Sequence, residues 1–160
     1  MDSETEPNPA NHQVAIKARE LFRVDISPEA QVKIAYADPR FYDCFGEQTV
    51  DRRPLGGLTS VVLLDFESND ELVSYEPSLT LSDLWNLLLK QPNGEPGDLL
   101  CRAYENGYCN IFCFNDCFGA RRAVYAMWYF HGWYIGMTIE PVDVRDNIRR
   151  TWSPGHKVFF

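Results

Sequence analysis

The chain has 160 residues, 45% of them hydrophobic and 14% aromatic, and a net charge of −8 at pH 7. This is the composition of a folded domain, one large enough to bury about 70% of its unfolded surface with no disulfide, metal or cofactor needed for stability. The carboxylate excess argues against a general nucleic-acid binder, whose affinity is mostly phosphate neutralisation. The longest apolar runs, TSVVLLDF and YAMWYF, fall far short of the roughly 20 residues of a membrane span.

The start, MDSETEPNPA, is acidic and carries two prolines, so residues 1–10 read as a flexible arm and 11–160 as a single domain. It resembles neither a signal peptide nor a mitochondrial presequence. Val14, Ala18, Leu21 and Phe22 then recur on one helical face behind Asn11 as N-cap, which predicts a helix over about 12–23. In VKIAYA, Val32, Ile34 and Tyr36 alternate as in a half-buried strand. Asp38-Pro39 ends that strand, and FYDCFG at 41–46 is expected to continue it or to form an aromatic loop.

RRPLGG at 52–57 is turn chemistry, and LTSVVLLDF at 58–66, apolar on both faces, is the central-strand candidate. Thr80 with Asp83 is a capping-box variant that opens a second helix, with Leu81, Leu84, Trp85 and Leu88 on one face. QPNGEPG at 91–97 breaks it. DLLCRAY, GYCNIFCFND, RRAVYAMWYF, WYIGMTIE and HKVFF all read as strands, with His131-Gly132 as a hairpin turn between two aromatic ones. The fold class expected is α+β: two helices packed on a curled, mainly antiparallel sheet of five to seven strands.

The order VKIAYADPRF, leucine helix, QPNGEPGDLL, NGYCNIF and WSPGHKVFF resembles a group of uncharacterised bacterial hypothetical domains, over roughly Val32 to Phe160. The shared pieces are a Gly-Tyr-x-Asn-Ile-Phe strand and a closing Trp-x-x-Gly-x-x-Val-Phe. An Arg-Ala-Tyr-Glu insertion before Asn106 departs from the group, and residues 1–31 have no counterpart in it. The resemblance implies no activity, cofactor or partner.

Cysteine offers the most chemistry-bearing pattern. Cys109, Cys113 and Cys117 are four apart, with Cys101 before them, Cys44 far away, and His131 and His156 downstream. Structural zinc sites use two close pairs joined by tight loops, a spacing absent here. On a strand, Cys109, Ile111 and Cys113 share one face while Phe112 and Phe114 share the other, so core thiols are expected first and a metal, a disulfide or a reactive thiol only second. Strand alternation with an outward His131 turn further predicts no thiol within hydrogen-bond reach of a histidine. An odd cysteine count with no export signal points to a reducing, cytoplasmic compartment. Pro54-Leu55-Gly56-Gly57 precedes a strand rather than a helix, so it is no phosphate loop, and Asn93-Gly94 with Glu95 and Asp98 lacks the calcium-loop pattern.

Tyr125, Trp128, Tyr129, Phe130, Trp133 and Tyr134 crowd into ten residues, a composition typical of interfaces as well as of cores. Tyr125, Tyr129, Tyr134 and Trp133, with Arg121 and Arg122, are the candidate binding residues; no catalytic residue and no metal ligand is expected. The function expected is a small protein-binding module with no nucleic-acid or membrane partner. Residues 1–100 carry net −10, and this leaves a second reading, an immunity- or antitoxin-like neutraliser of a basic partner. A Cys-His enzyme is the third.

Overall fold

The computed structural model describes residues 16–51, 60–62, 64, 67–68, 79–94, 100, 109–137, 151–152 and 155–159. The expected arm, the start of the first helix, the strand over 98–104 apart from Leu100, and Cys101 lie outside these residues. Among the described residues the fold is α+β, with three helices and a six-stranded mixed sheet.

The chain enters as β1 (Ile16–Lys17) and turns at once into a one-turn helix, α1 (Ala18–Leu21). This is shorter than the helix expected, because Ile16 and Lys17 pair antiparallel with β3 (Thr49–Val50), a distant partner that a helical period cannot reveal. Next comes β2 (Ile34–Ala37), and then α2 (Pro39–Phe45) where a strand or loop was expected. The local chemistry explains that helix. Asp38 is its N-cap, its carboxylate accepting the Arg40 N–H at 2.9 Å, and Pro39 fills the first turn, where a missing N–H costs nothing. The aromatic residues that made the segment look extended face inward, Phe41 and Phe45 both being buried.

After β4 (Ser60–Val62) and β5 (Glu67–Ser68), α3 (Leu81–Lys90) starts where the capping box predicts. The Asp83 carboxylate accepts the N-cap Thr80 N–H at 2.7 Å. Four strands follow closely or at the end of the chain: β6 (Asn110–Asn115), β7 (Arg121–Tyr129), β8 (Gly132–Met137) and β10 (Lys157–Phe159), with β9 (Thr151–Trp152) pairing β5 apart from them. The main sheet has the order β2-β8-β7-β6-β10-β4. Its β2/β8 and β10/β6 contacts are parallel and the other three antiparallel. Strand β4 is therefore an edge, with Val61 and Val62 exposed, and not the central strand its apolar run suggested.

Alternation splits the sheet into two faces. One carries Phe112, Phe114, Val124, Ala126, Trp128, Trp133, Ile135 and Phe159, and all three helices pack on it. Rings connect across this layer, from Phe22 to Phe41 and Trp85 at 5.0 and 5.1 Å, and from Phe45 to Phe114 at 5.9 Å. The other carries the smaller buried group Cys109, Ile111, Cys113, Ala123 and Val158, with Tyr125 and Met127 beside it, and so the thiols fall on the face alternation predicts.

Helix α3 is joined to the sheet through Gln91, a buried amide just past its end. The Gln91 carbonyl accepts the Trp133 indole N–H at 2.9 Å, and its side chain exchanges two hydrogen bonds with the Leu100 backbone. Gly94, three residues on, has φ of +61° and sits against the face of Trp128, where an added Cβ would come within 2.1 Å of the ring. Gly94→Ala combines a left-handed backbone with overpacking, so it is expected to cost about 2–4 kcal/mol, measured as a lowered urea midpoint with unchanged slope.

Candidate functional site

The β7/β8 hairpin pairs Trp128 with Trp133, Met127 with Tyr134 and Tyr125 with Gly136. This register decides which of the predicted binding residues meet solvent. Trp133 is 0% exposed and stacks edge-on with Trp128 at 5.7 Å inside the core, so it is corrected from binding residue to packing residue. Tyr125 is half-buried on the opposite face, the hydroxyl end of its ring lying against Gly136, where any Cβ would clash. Burial chiefly, with the neighbouring Cys109, Asp38 and Tyr36 adding to it, pushes the Tyr125 hydroxyl above its ordinary value and keeps it neutral.

Tyr129 and Tyr134 do come together, with ring centroids 5.5 Å apart. Two rings not among the expected set extend them. Tyr36 lies 5.6 Å from Tyr134, and Phe130 lies 4.3 Å from Tyr129. Tyr36 was expected on the face of Ile34, but a register shift between the two turns it to the opposite side, where it is 42% exposed. Phe130 occupies the hairpin turn with His131, one residue earlier than expected. It holds φ of 54°, costly for a bulky side chain, and is 59% exposed. The result is a strip of four rings, Tyr36, Tyr134, Tyr129 and Phe130, running from the edge strand to the hairpin tip.

The two arginines do not join this strip. Arg121 starts β7 on the same face as Tyr125 but at the far end of the strand from Tyr129. Arg122 points to the other face and ion-pairs with Asp116 at 3.0 Å. Asp116 is buried in the β6/β7 turn and accepts the Phe118 and Ala120 N–H groups at 2.9 Å each. Burial alone would raise its pKa, but Arg122 and these two N–H groups outweigh it and hold the carboxyl below its ordinary range.

The thiols bring a correction. Cys109 Sγ lies 3.3 Å from His156 Nδ1, within the reach that was not expected, because His156, 47 residues away, immediately precedes β10, which pairs parallel with β6. The contact belongs to a strand end. The Cys109 N–H donates to Nδ1 at 3.0 Å while its carbonyl accepts the Lys157 N–H at 3.1 Å, so the ring continues the hydrogen bonding of the β6/β10 pair by one step. Accepting that N–H requires a lone pair on Nδ1, and hence an unprotonated nitrogen there. Burial lowers the pKa of the ring in the same sense. Cys113, on the same face, has its thiol pushed up to about 11 by burial, against the opposing charge of Arg121, and stays neutral at pH 7. Cys117 and His131 sit in turns at opposite ends of β7 and do not meet. Among the described residues no three His, Cys, Asp or Glu side chains are grouped to hold a metal.

His156→Ala removes the acceptor of a buried N–H and is expected to cost about 1–3 kcal/mol, whereas His156→Asn, whose Oδ1 can stand where Nδ1 stood, restores most of it. The folded pKa of this ring lies below its unfolded value of about 6.5, so its contribution is full above that pH and is lost as pH falls through the folded value. Urea midpoints between pH 8 and pH 5 check both statements, since the Asn variant lacks this pH dependence. Compared with protein-family models, curated proteins and solved structures, the chain matches none.

Proposed function

We propose that the chain is a small, non-catalytic, cytoplasmic protein-binding module, and that the strip Tyr36–Tyr134–Tyr129–Phe130 is its binding surface. The observation that carries this reading is the contiguity of the rings on the sheet face opposite the helices. A sheet gains something from cross-strand aromatic pairs on a solvent face, about 0.2–1 kcal/mol each, but that gain does not account for Phe130. Its backbone is held in a strained conformation at the tip of the hairpin, and such strain gathers where the presented side chain has a use. Tyrosine supplies apolar area with few rotatable bonds and a hydroxyl at its rim, which is why it is enriched among the residues that dominate binding energy. A net charge of −8 favours a protein partner over a nucleic acid.

One further observation favours a second reading, a thiol–imidazole site at Cys109 and His156, whose sulfur and ring nitrogen lie 3.3 Å apart. Against it stand the 4% exposure of Cys109 and the occupation of Nδ1 by a backbone N–H. Rapid alkylation of Cys109 in the native chain, suppressed by His156→Ala, would promote that reading. Protection of Cys109 until unfolding retires it.

For the binding module, Tyr129→Ala and Tyr134→Ala are each expected to weaken capture of the partner from the source cell at least tenfold, as loss of a binding hot spot of about 2 kcal/mol does. Both variants keep the thermal transition within a few degrees of the parent. Loss of cooperative unfolding in both would show that the rings serve the core, and retained capture by both would place the partner elsewhere.

A further inference from the structure

Among the described residues, two thiols remain that neither the strip nor the second face uses. Cys44 lies in the last turn of α2, half-buried, and Cys117 lies exposed in the turn between β6 and β7. Sequence spacing separates them by 73 positions, but the fold ties their backbones directly. The Cys117 N–H donates to the Cys44 carbonyl at 2.9 Å. A second bond fastens the same two segments, from Gln48 Nε2 to the Asn115 carbonyl at 3.2 Å. The Cys117 sulfur turns toward the helix end, 3.9 Å from the Asp43 carbonyl. Residues of an antiparallel pair that exchange two such bonds hold their Cα atoms about 5.5 Å apart, and the single bond here brings Cys44 and Cys117 to a separation of that order, near the roughly 4.4–6.8 Å that a disulfide bridges.

We propose that Cys44 and Cys117 form an oxidisable dithiol, a modification site at which a low-molecular-weight disulfide of the glutathione class converts the pair into an internal bridge. Exposure makes Cys117 the attacking group. Its thiolate bonds to one sulfur of the disulfide RSSR and releases RS⁻. Cys44 then gives its proton to solvent and attacks the Cys117 sulfur, which forms the internal S–S bond and expels the second RS⁻. Two protein thiols are oxidised, one RSSR is reduced to two RSH, and the two thiolates released take up the protons lost. Burial, with Asp116, Cys117 and Asp43 adding to it and Arg122 opposing it, keeps Cys44 above its ordinary pKa. That suits a group that waits in the thiol form and acts second. The turn arrives preorganised, since Asp116 fixes its backbone through four hydrogen bonds and an ion pair. That order holds Cys117 beside the end of α2 while the bridge forms.

The test exposes the native chain to oxidised glutathione and reads the intact mass and a non-reducing peptide map. The expected product is lighter by two hydrogens, with Cys44 and Cys117 in one linked peptide pair, and Cys44→Ser stops at a stable glutathione adduct on Cys117. Three results would overturn the proposal: a persistent adduct on Cys117 in the parent chain, a bridge through any other cysteine, or no reaction until the chain is unfolded.

Discussion

The pairing of Trp128 with Trp133 across the β7/β8 hairpin sets the remainder of the molecule. Once these two indoles face the helices, alternation assigns every other residue of the two strands. Val124, Ala126, Ile135 and Met137 must follow them inward, and Tyr125, Met127, Tyr129 and Tyr134 must lie on the other side. A slip of one residue along both strands would bury Tyr125, Tyr129 and Tyr134 under the helices and expose both tryptophans. The register is further held by the indole N–H of Trp133, which donates to Gln91 just past α3. A single side chain thus fixes the hairpin to the sheet layer and the longest described helix to the hairpin.

That arrangement gives the two faces different chemistry. The helical face is closed by apolar packing, with its polar groups confined to satisfied positions such as Asn110, whose amide donates to the Ala126 carbonyl at 3.0 Å. The opposite face collects the nucleophilic and hydroxyl-bearing groups, and its burial is graded along the strands. Near β6 and β10 it is dry enough to push a thiol pKa up to about 11. Toward β2 and the hairpin tip its rings stand in solvent. Reactive residue types are therefore silenced at one end of the face, and contact-forming types are displayed at the other.

Local patterns in the sequence were legible wherever short-range physics decided the outcome. The Thr80/Asp83 cap started α3 as read, and the i, i+2 alternation of β6 put Cys109, Ile111 and Cys113 on one face as read. The misses have particular causes. Asp38-Pro39 reads as a stop to a strand, although the same two residues form a helix N-cap and first position; the aromatic run behind them conceals α2. A register shift inverted Tyr36 relative to simple alternation. The apolar run around Val61 went to an edge, since a strand's place in a sheet depends on partners that its own sequence does not name. The Cys109–His156 contact was missed for a related reason. It exists because β10 returns parallel to β6 over a long separation, and no local spacing encodes that return.

Hydroxyl-radical footprinting of the free chain separates the two faces most directly, because it reads side-chain exposure residue by residue in solution. Tyr36, Tyr129 and Phe130 are expected to oxidise rapidly, while Trp133, Phe112 and Phe114 stay inert until the chain unfolds. Oxidation of Trp133 as fast as that of Tyr129 would contradict the register on which both the core and the exposed aromatic strip depend.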